Sequence, residues 1–177
     1  MKGLVFTELI EMIENQFGLE IADEIIQKAE LPHQGAYTGV GTYPHSEMVL
    51  LVQNLSESTG IATAELYQVY GEYLFGRFRT IYGHFFDDNL TALDFLESID
   101  KHIHKEVLKL YPDAELPEFK TIKKSDKKMV MVYKSERKMS DFALGLIRGC
   151  MKYFKETVKI ERRQLSDIEV EFTILKV

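Results

Sequence analysis

The hydrophobic period of the chain changes near Pro117, and this change restricts the folds that the sequence can adopt. Before Pro117, apolar residues recur every three or four positions, which is typical of amphipathic helices. Beyond it, short segments alternate apolar and polar residues, which is typical of strands with one buried face. The predicted strands cover 119–124, 129–135, 157–162 and 168–175. A helix predicted at about 141–155 separates the two strand pairs, so the order of elements predicts an α+β fold.

Five helices are predicted before Pro117. They cover about 5–17, 20–29, 46–60, 63–78 and 90–111. Gly18 and Gly60 are expected to end the first and third of them, because glycine is a common helix stop. The segment 31–45 contains three glycines and two prolines and is expected to connect the second helix to the third. An Asp-rich loop is expected before the fifth helix.

Composition narrows the class of protein. The chain has 22 Lys and Arg against 28 Asp and Glu, and its net charge of −6 argues against a nucleic-acid binder. The lone Cys150 can form neither an internal disulfide nor a thiolate cluster for a metal. No segment approaches the ~20 apolar residues of a membrane span, and the acidic N-terminal segment does not read as a signal peptide. A cytoplasmic protein is therefore expected, with no membrane or nucleic-acid partner.

Positive charge is concentrated in one hairpin. Residues 120–138 contain eight Lys and Arg against two Asp and Glu, so this segment carries +6 and leaves −12 for the rest of the chain. One interpretation is a solvated hairpin whose charges prevent edge-to-edge strand pairing. The other interpretation is a binding site for an anion.

Helical geometry separates two histidines of the predicted helix 90–111. Steps of three and four residues from His104 reach mostly apolar positions, among them Leu96 and Val107, whereas the same steps from His102 reach mostly polar ones. His104 is therefore predicted to face inward. It can be an iron ligand if a cavity faces it, or a core histidine bonded to a backbone carbonyl. Zinc is disfavoured because no Cys/His set at ligand spacing accompanies it.

Two further sequence patterns could either form part of a ligand-binding site or have an ordinary structural role. Tyr133, Ser135 and Arg137 follow one another at a spacing of two, so on a strand they would share a face and could bind a pair of carboxylates. The alternative is an ordinary strand end with an exposed arginine. Gly145 and Gly149 form a small-residue face on the helix 141–155, which could admit a flat molecule or pack tightly on the sheet.

Taken together, these motifs resemble the haem nitric oxide/oxygen binding family, often written H-NOX. This family includes the sensor domain of soluble guanylate cyclase and stand-alone bacterial gas sensors. The matching segments are 1–3 (MKG), 71–75 (GEYLF), 110–117 (LYPDAELP), 133–137 (YKSER) and 145–149 (GLIRG). The combination is specific because His104 precedes Tyr133 by 29 residues and Pro117 follows His104 by 13.

The resemblance implies a single domain, 1–177, that holds haem b (iron protoporphyrin IX) between two lobes. The distal lobe would be helical and cover about 1–60, and the proximal lobe would cover about 61–177. His104 matches the residue that ligates the haem iron in this family. The residues that match those holding the haem propionates are Tyr133, Ser135 and Arg137. Pro117 matches a proline that presses on the porphyrin and helps to distort it.

The resemblance also implies a choice of gas. In oxygen-binding members, a tyrosine five residues after the motif arginine donates a hydrogen bond to bound O2, and Phe142 stands at that position here. Leu74 likewise replaces a polar residue that supports this tyrosine. The expected distal wall is entirely apolar and contains Val5, Leu9, Leu74, Phe78, Phe142 and Leu146. Such a wall favours NO and CO over O2.

The expected function is therefore a haem-based NO sensor that is not an enzyme and that signals in trans. A histidine kinase or a diguanylate cyclase is the partner that the resemblance suggests, and a monomer is expected. Two alternatives belong to other classes. A haem enzyme such as a peroxidase would need a distal acid or base, which the apolar wall does not supply. A haem-free ligand-binding or adaptor domain would account for the α+β pattern without iron.

Overall fold

Helices precede strands in the structure, and the fold is α+β, as the change of period at Pro117 predicts. The computed structural model describes residues 1–86 and 90–177. The Asp-rich loop includes residues 87–89, which lie outside the described residues. The helices are α1 (Gly3–Phe17), α2 (Leu19–Lys28), α3 (His45–Thr59), α4 (Thr63–Ile81), α5 (Ala92–Ser98), α6 (His104–Leu110) and α7 (Ser140–Tyr153). The strands are β1 (Glu118–Lys124), β2 (Lys128–Lys134), β3 (Val158–Gln164) and β4 (Glu169–Lys176).

Local chemistry explains where several helices begin and end. Gly60 follows α3 in the left-handed conformation, with φ of +74°, and its N–H donates to the carbonyl of Ser56 at 2.8 Å. A side chain at this position would strain the backbone. The helix α5 begins with a capping box, in which the N–H of Asp94 donates to the Thr91 hydroxyl and the N–H of Thr91 donates to the Asp94 carboxylate. These bonds satisfy donors that a helix start leaves unpaired.

The helix predicted at 90–111 is not uniform, and this part of the prediction is wrong. A π turn, Ile99–Ile103, separates α5 from α6. A π turn holds one more residue than an α turn and is frequently found at functional sites. The residue that follows it is His104, so the irregular turn helps to set the direction of this side chain.

The four strands form one antiparallel sheet in the order β1-β2-β4-β3. The two predicted hairpins are therefore joined edge to edge by the pairing of β2 with β4. Alternate residues of the central strands, among them Met131 and Phe172, are buried against apolar residues of α7 such as Ile147. The face that buries these residues is the one that period-two alternation predicts.

Buried side chains in the described part of the chain form two apolar cores that meet along α4. One core contains α1, α2, α3 and the α4 residues up to Leu74, and the other contains α5, α7, the sheet and Phe75. The lobe boundary predicted near residue 60 stays a prediction, since α4 contributes to both cores.

Glycines bring α4 and α7 into close contact. A Cβ atom placed on Gly145 would lie 2.2 Å from the backbone oxygen of Gln68, and one placed on Gly71 would lie 2.4 Å from the backbone oxygen of Phe142. Both distances are far below van der Waals contact. The small-residue face of α7 therefore packs on α4. The sequence had suggested the sheet or a flat molecule as the partner of this face, and neither lies there.

Candidate functional site

An apolar cavity of about 260 Å³ lies among α1, α4, α6 and α7. Eight of the ten predicted site residues line it. They are Val5, Leu74, Phe78, His104, Pro117, Arg137, Phe142 and Leu146. Leu9, which was expected on the same wall, is instead buried in the N-terminal core, because it lies one helical turn from Val5 and packs between helices.

His104 lines this cavity, and one of its ring nitrogens lies close to a carboxylate. Its Nδ1 atom lies 2.7 Å from Oδ1 of Asp100, four residues earlier. If Nδ1 carries the proton, this carboxylate leaves Nε2 as the free nitrogen with its lone pair. The partner is thus a carboxylate and not the backbone carbonyl considered from the sequence. His102 is exposed, as the helical spacing predicts.

Asp100 is a functional candidate whose importance sequence reasoning missed. Its second carboxylate oxygen accepts the backbone N–H of Phe119, so the π turn is tied to the beginning of β1. In sequence, Asp100 is only one of several charged residues near His104. A carboxylate one helical turn before an inward histidine is the signal that could have identified it.

The propionate-binding motif lies partly on a turn, which corrects the expectation of a shared strand face. The strand β2 ends at Lys134, and the next residues form a turn in which the Ser135 hydroxyl accepts the N–H of Arg137 at 3.2 Å. Lys138 closes the turn with φ of +53°. Serine side chains often bond nearby backbone N–H groups in this way, and such bonds end a strand.

Within this motif only Arg137 reaches the cavity. Tyr133 is buried below it in the sheet core, where burial raises the pKa of its hydroxyl and hydrogen bonds to Ser135 and to the backbone of Met139 oppose that rise. The Arg137 guanidinium lies 2.8 Å from the backbone oxygen of Glu115 and 2.8 Å from its carboxylate. Ser135 thus bonds both the Tyr133 hydroxyl and the backbone of Arg137, and of these three residues only Arg137 faces the cavity.

The basic hairpin does not act as one anion site. Of its eight cationic residues, Arg137 is the one that lines a cavity. Lys124 turns toward α5 and contacts the carboxylates of Asp94 and Glu97. The bonds from Lys124 and Thr91 lower the pKa of Asp94 to about 2. The solvated-hairpin interpretation thus fits most of these charges, and the anion-site interpretation fits Arg137.

The helices α1, α4 and α7 present no polar side chain to the apolar cavity among the residues that the structure describes. Polar groups enter the lining from other segments. Among them, the Tyr82 hydroxyl is hydrogen-bonded to Tyr111, and burial together with this bond raises the pKa of Tyr82 to about 12. The cavity thus combines an apolar wall, one imidazole and a cationic rim.

These features fit haem. Within the described part of the chain, no group of three or more His, Cys, Asp and Glu side chains could hold a metal ion. An iron at His104 would therefore need its other ligands from a prosthetic group. Haem supplies them in a flat apolar ring with two carboxylates, which suits an apolar cavity with a cationic rim. Over the same residues, no helix has the length and apolarity needed to span a membrane.

Comparisons with known proteins agree with this geometry. The haem-NO-binding family model matches residues 2–162. The Fe(II) unliganded H-NOX protein from K. algicida is 40% identical over 100% of this chain and 97% of that chain, with a TM-score of 0.94. The H-NOX protein from Shewanella woodyi, solved in the Fe(II)CO state, is 39% identical over 100% of this chain and 95% of that chain, with a TM-score of 0.86. No protein with a curated description matches the chain.

Proposed function

This chain belongs to the haem-NO-binding (H-NOX) family of haem-based gas sensor domains, and on that basis we propose that it binds nitric oxide at a ferrous haem and signals this to a partner protein in trans. We propose haem b as the cofactor, a cytoplasmic location and a monomeric state. A histidine kinase or a diguanylate cyclase is the proposed partner, and the chain itself carries out no catalysis.

Named residues would hold the cofactor. When bound, haem would supply an iron that can take a histidine nitrogen and a diatomic gas as ligands. The Nε2 atom of His104 would ligate the iron, since Nδ1 faces the Asp100 carboxylate. Arg137 would bind carboxylate from the rim, supported by Tyr133 and Ser135 behind it. Pro117 lines the cavity and would contact the ring.

The observation that carries the preference for NO is the composition of the wall from α1, α4 and α7. Its side chains at the cavity include Val5, Leu74, Phe78, Phe142 and Leu146, none of which can donate a hydrogen bond. Bound O2 carries negative charge and is stabilised by a preorganised donor, whereas NO and CO need little such help. This apolar wall therefore supports NO sensing, and it offers no acid or base for a peroxidase.

The connections of His104 support a signalling role. Asp100 joins it to the backbone of β1, and α6 continues directly into the segment that contains Pro117. If His104 no longer held the iron, α6 and the π turn would be free to shift against β1. Such a shift is a two-state change that a ligand can bias.

Spectroscopy of the purified protein tests this proposal. The protein should show a Soret band, and the ferrous form should bind NO and CO but form no stable complex in air. Absence of haem after expression with adequate iron would favour a haem-free binding or adaptor domain. A wild-type protein that binds O2 stably would contradict NO selectivity.

A further inference from the structure

Two cationic side chains, Lys2 and Arg137, stand where the apolar cavity meets a second, polar cavity of about 330 Å³. Both residues line both cavities. Each side chain is only 14% exposed, so both charges are largely withdrawn from water. The junction therefore offers two positive charges to a ligand that fills the apolar cavity.

Arg137 is already closely paired in the structure. Its guanidinium makes two contacts of 2.8 Å with Glu115, one to the backbone oxygen and one to the carboxylate. The Glu115 side chain is 87% exposed, so its carboxylate is free to turn into water when another acceptor reaches Arg137.

The positive charge of Lys2 has a more distant anionic partner than that of Arg137. Its close contact is neutral, the Thr42 hydroxyl at 2.8 Å, and both Asp113 carboxylate oxygens lie 3.4 Å away. The ammonium also stands 5.0 Å from the centre of the Tyr111 ring. A buried lysine normally has a close anionic partner, because withdrawing an ammonium group from water is costly. The geometry around Lys2 thus leaves room for a closer carboxylate.

We propose that Lys2 binds one haem carboxylate while Arg137 binds the other. This inference rests on the proposed function in one respect, which is that the cavity holds haem. Thr42 and Asp113 are positioning residues: the Thr42 hydroxyl accepts from Lys2 and donates to Asp113 at 2.9 Å, so the three groups hold the ammonium at the cavity wall. The Lys2 ammonium and the Arg137 guanidinium then each bind one of the two haem carboxylates.

Haem loss from the holoprotein tests this assignment. Haem transfer to excess apomyoglobin is measured for the wild type, Lys2→Met, Lys2→Arg and Lys134→Met. Lys2→Met should lose haem about tenfold faster, because one charge-assisted hydrogen bond disappears. Lys2→Arg should stay close to the wild type. Lys134 is 43% exposed and lines neither cavity, so Lys134→Met should leave the rate unchanged. An unchanged rate in Lys2→Met would overturn the assignment.

Two measurements separate carboxylate binding from a merely structural role. The first loads iron protoporphyrin IX dimethyl ester, which has no free carboxylates, in place of haem. Lys2→Met should lose the ester no faster than the wild type does, and an equal acceleration for ester and haem would overturn the proposal. The second uses Asp113→Asn, which keeps the cation and weakens its bridge. Haem loss as fast as in Lys2→Met would mean that the bridge, and not the ammonium, retains haem.

These outcomes are distinct from failure of the proposed function. A wild-type protein that holds no haem at all would overturn both proposals. A haem-loaded protein that prefers O2 would overturn NO sensing and leave the Lys2 comparison valid. Haem-loaded variants with equal rates would overturn only the role of Lys2.

Discussion

The Nδ1 atom of His104 lies 2.7 Å from Oδ1 of Asp100, and the other oxygen of that carboxylate accepts the backbone N–H of Phe119. One side chain thus connects the candidate iron ligand to the first strand of the sheet. A carboxylate that accepts from a ligating imidazole orients the ring and makes it a stronger donor to the metal. The π turn that carries Asp100 is therefore part of the site.

Asp100→Asn should weaken the bond between His104 and the haem iron, because a neutral amide is a poorer acceptor than a carboxylate. The Fe–His stretching band of the ferrous protein should move to lower frequency, as measured by resonance Raman spectroscopy. Release of His104 after NO addition should be faster, on the order of tenfold. Glu106→Gln is the matched control, since Glu106 pairs with Lys109 and lines neither cavity. A band that does not move in Asp100→Asn would contradict the assigned role.

His104→Gly should remove the bond between the protein and the iron, and added imidazole should restore a ligated spectrum. His102→Gly should leave the haem spectrum nearly unchanged, because His102 is exposed and does not line the cavity. Absorption spectra of the ferrous variants, with and without imidazole, provide the measurement. The reverse behaviour would mean that His102 is the ligand.

Phe142→Tyr should give the ferrous protein a measurable affinity for O2. The Phe142 ring lines the apolar cavity and stacks on Tyr70, whose hydroxyl is bonded to the backbone oxygen of Val5. A phenol at position 142 would add a donor where a hydrogen bond is worth more than in water. A second change that makes Leu74 polar would help to orient the phenol. CO affinity should change less, because bound CO carries little charge.

The O2 measurement uses spectra recorded in air before oxidation intervenes. Phe154→Tyr adds a phenol just beyond the end of α7 and outside the cavity lining, so it should leave gas binding unchanged. No gain of O2 affinity in Phe142→Tyr, even with a polar residue at position 74, would mean that the Phe142 position does not face the gas.

Asp94→Asn should make the stability of the folded protein less dependent on pH below about pH 4. The pKa of Asp94 is lowered from 3.8 to about 2 in the folded protein, chiefly by hydrogen bonds from Lys124 and Thr91. A lowered folded pKa adds stability that is complete above pH 3.8 and is lost as the pH falls toward about 2. The difference in thermal midpoint between the wild type and Asp94→Asn should shrink over this interval.

Circular dichroism melts between pH 2 and pH 7 provide the test. Asp167→Asn is the control, since the Asp167 side chain is 91% exposed and pairs with Lys138 at 3.5 Å, so its removal should shift the midpoint little at any pH. A midpoint difference that stays constant down to pH 2 would contradict the role of Asp94.

Much of the fold follows from hydrophobic periodicity. Apart from the π turn inside the predicted helix 90–111, the predicted ends of helices and strands lie within three residues of those observed, because each element buries one face and its period is visible locally. The order of the strands in the sheet does not follow from local periodicity. The pairing of β2 with β4 joins residues far apart in sequence, and nothing in the local pattern specifies which strand of one hairpin meets the other.

The site was less predictable than the fold, for two physical reasons. Period-two spacing assumes an extended backbone, whereas the Ser135 hydroxyl bonds the N–H of Arg137 and bends the chain there. The approach of Lys2 to Asp113 spans more than a hundred residues and depends on how α1 packs against the segment after α6. His104 lines the cavity as its helical spacing predicts, although the π turn before it was not expected.

The contact between Gly71 and α7 has a mechanical consequence. No side chain separates the two backbones there, so α4 and α7 cannot move closer, and beside this contact Tyr70 of α4 stacks on Phe142 of α7. Gly71 is near the middle of α4, about 12 Å from Thr63 and about 15 Å from Ile81 at 1.5 Å per residue. Any tilt of α4 against α7 would therefore pivot about this point of direct backbone contact, with one arm of α4 on each side of it. A tilt of about 10° would carry the Ile81 end through about 2.5 Å and the Thr63 end in the opposite direction.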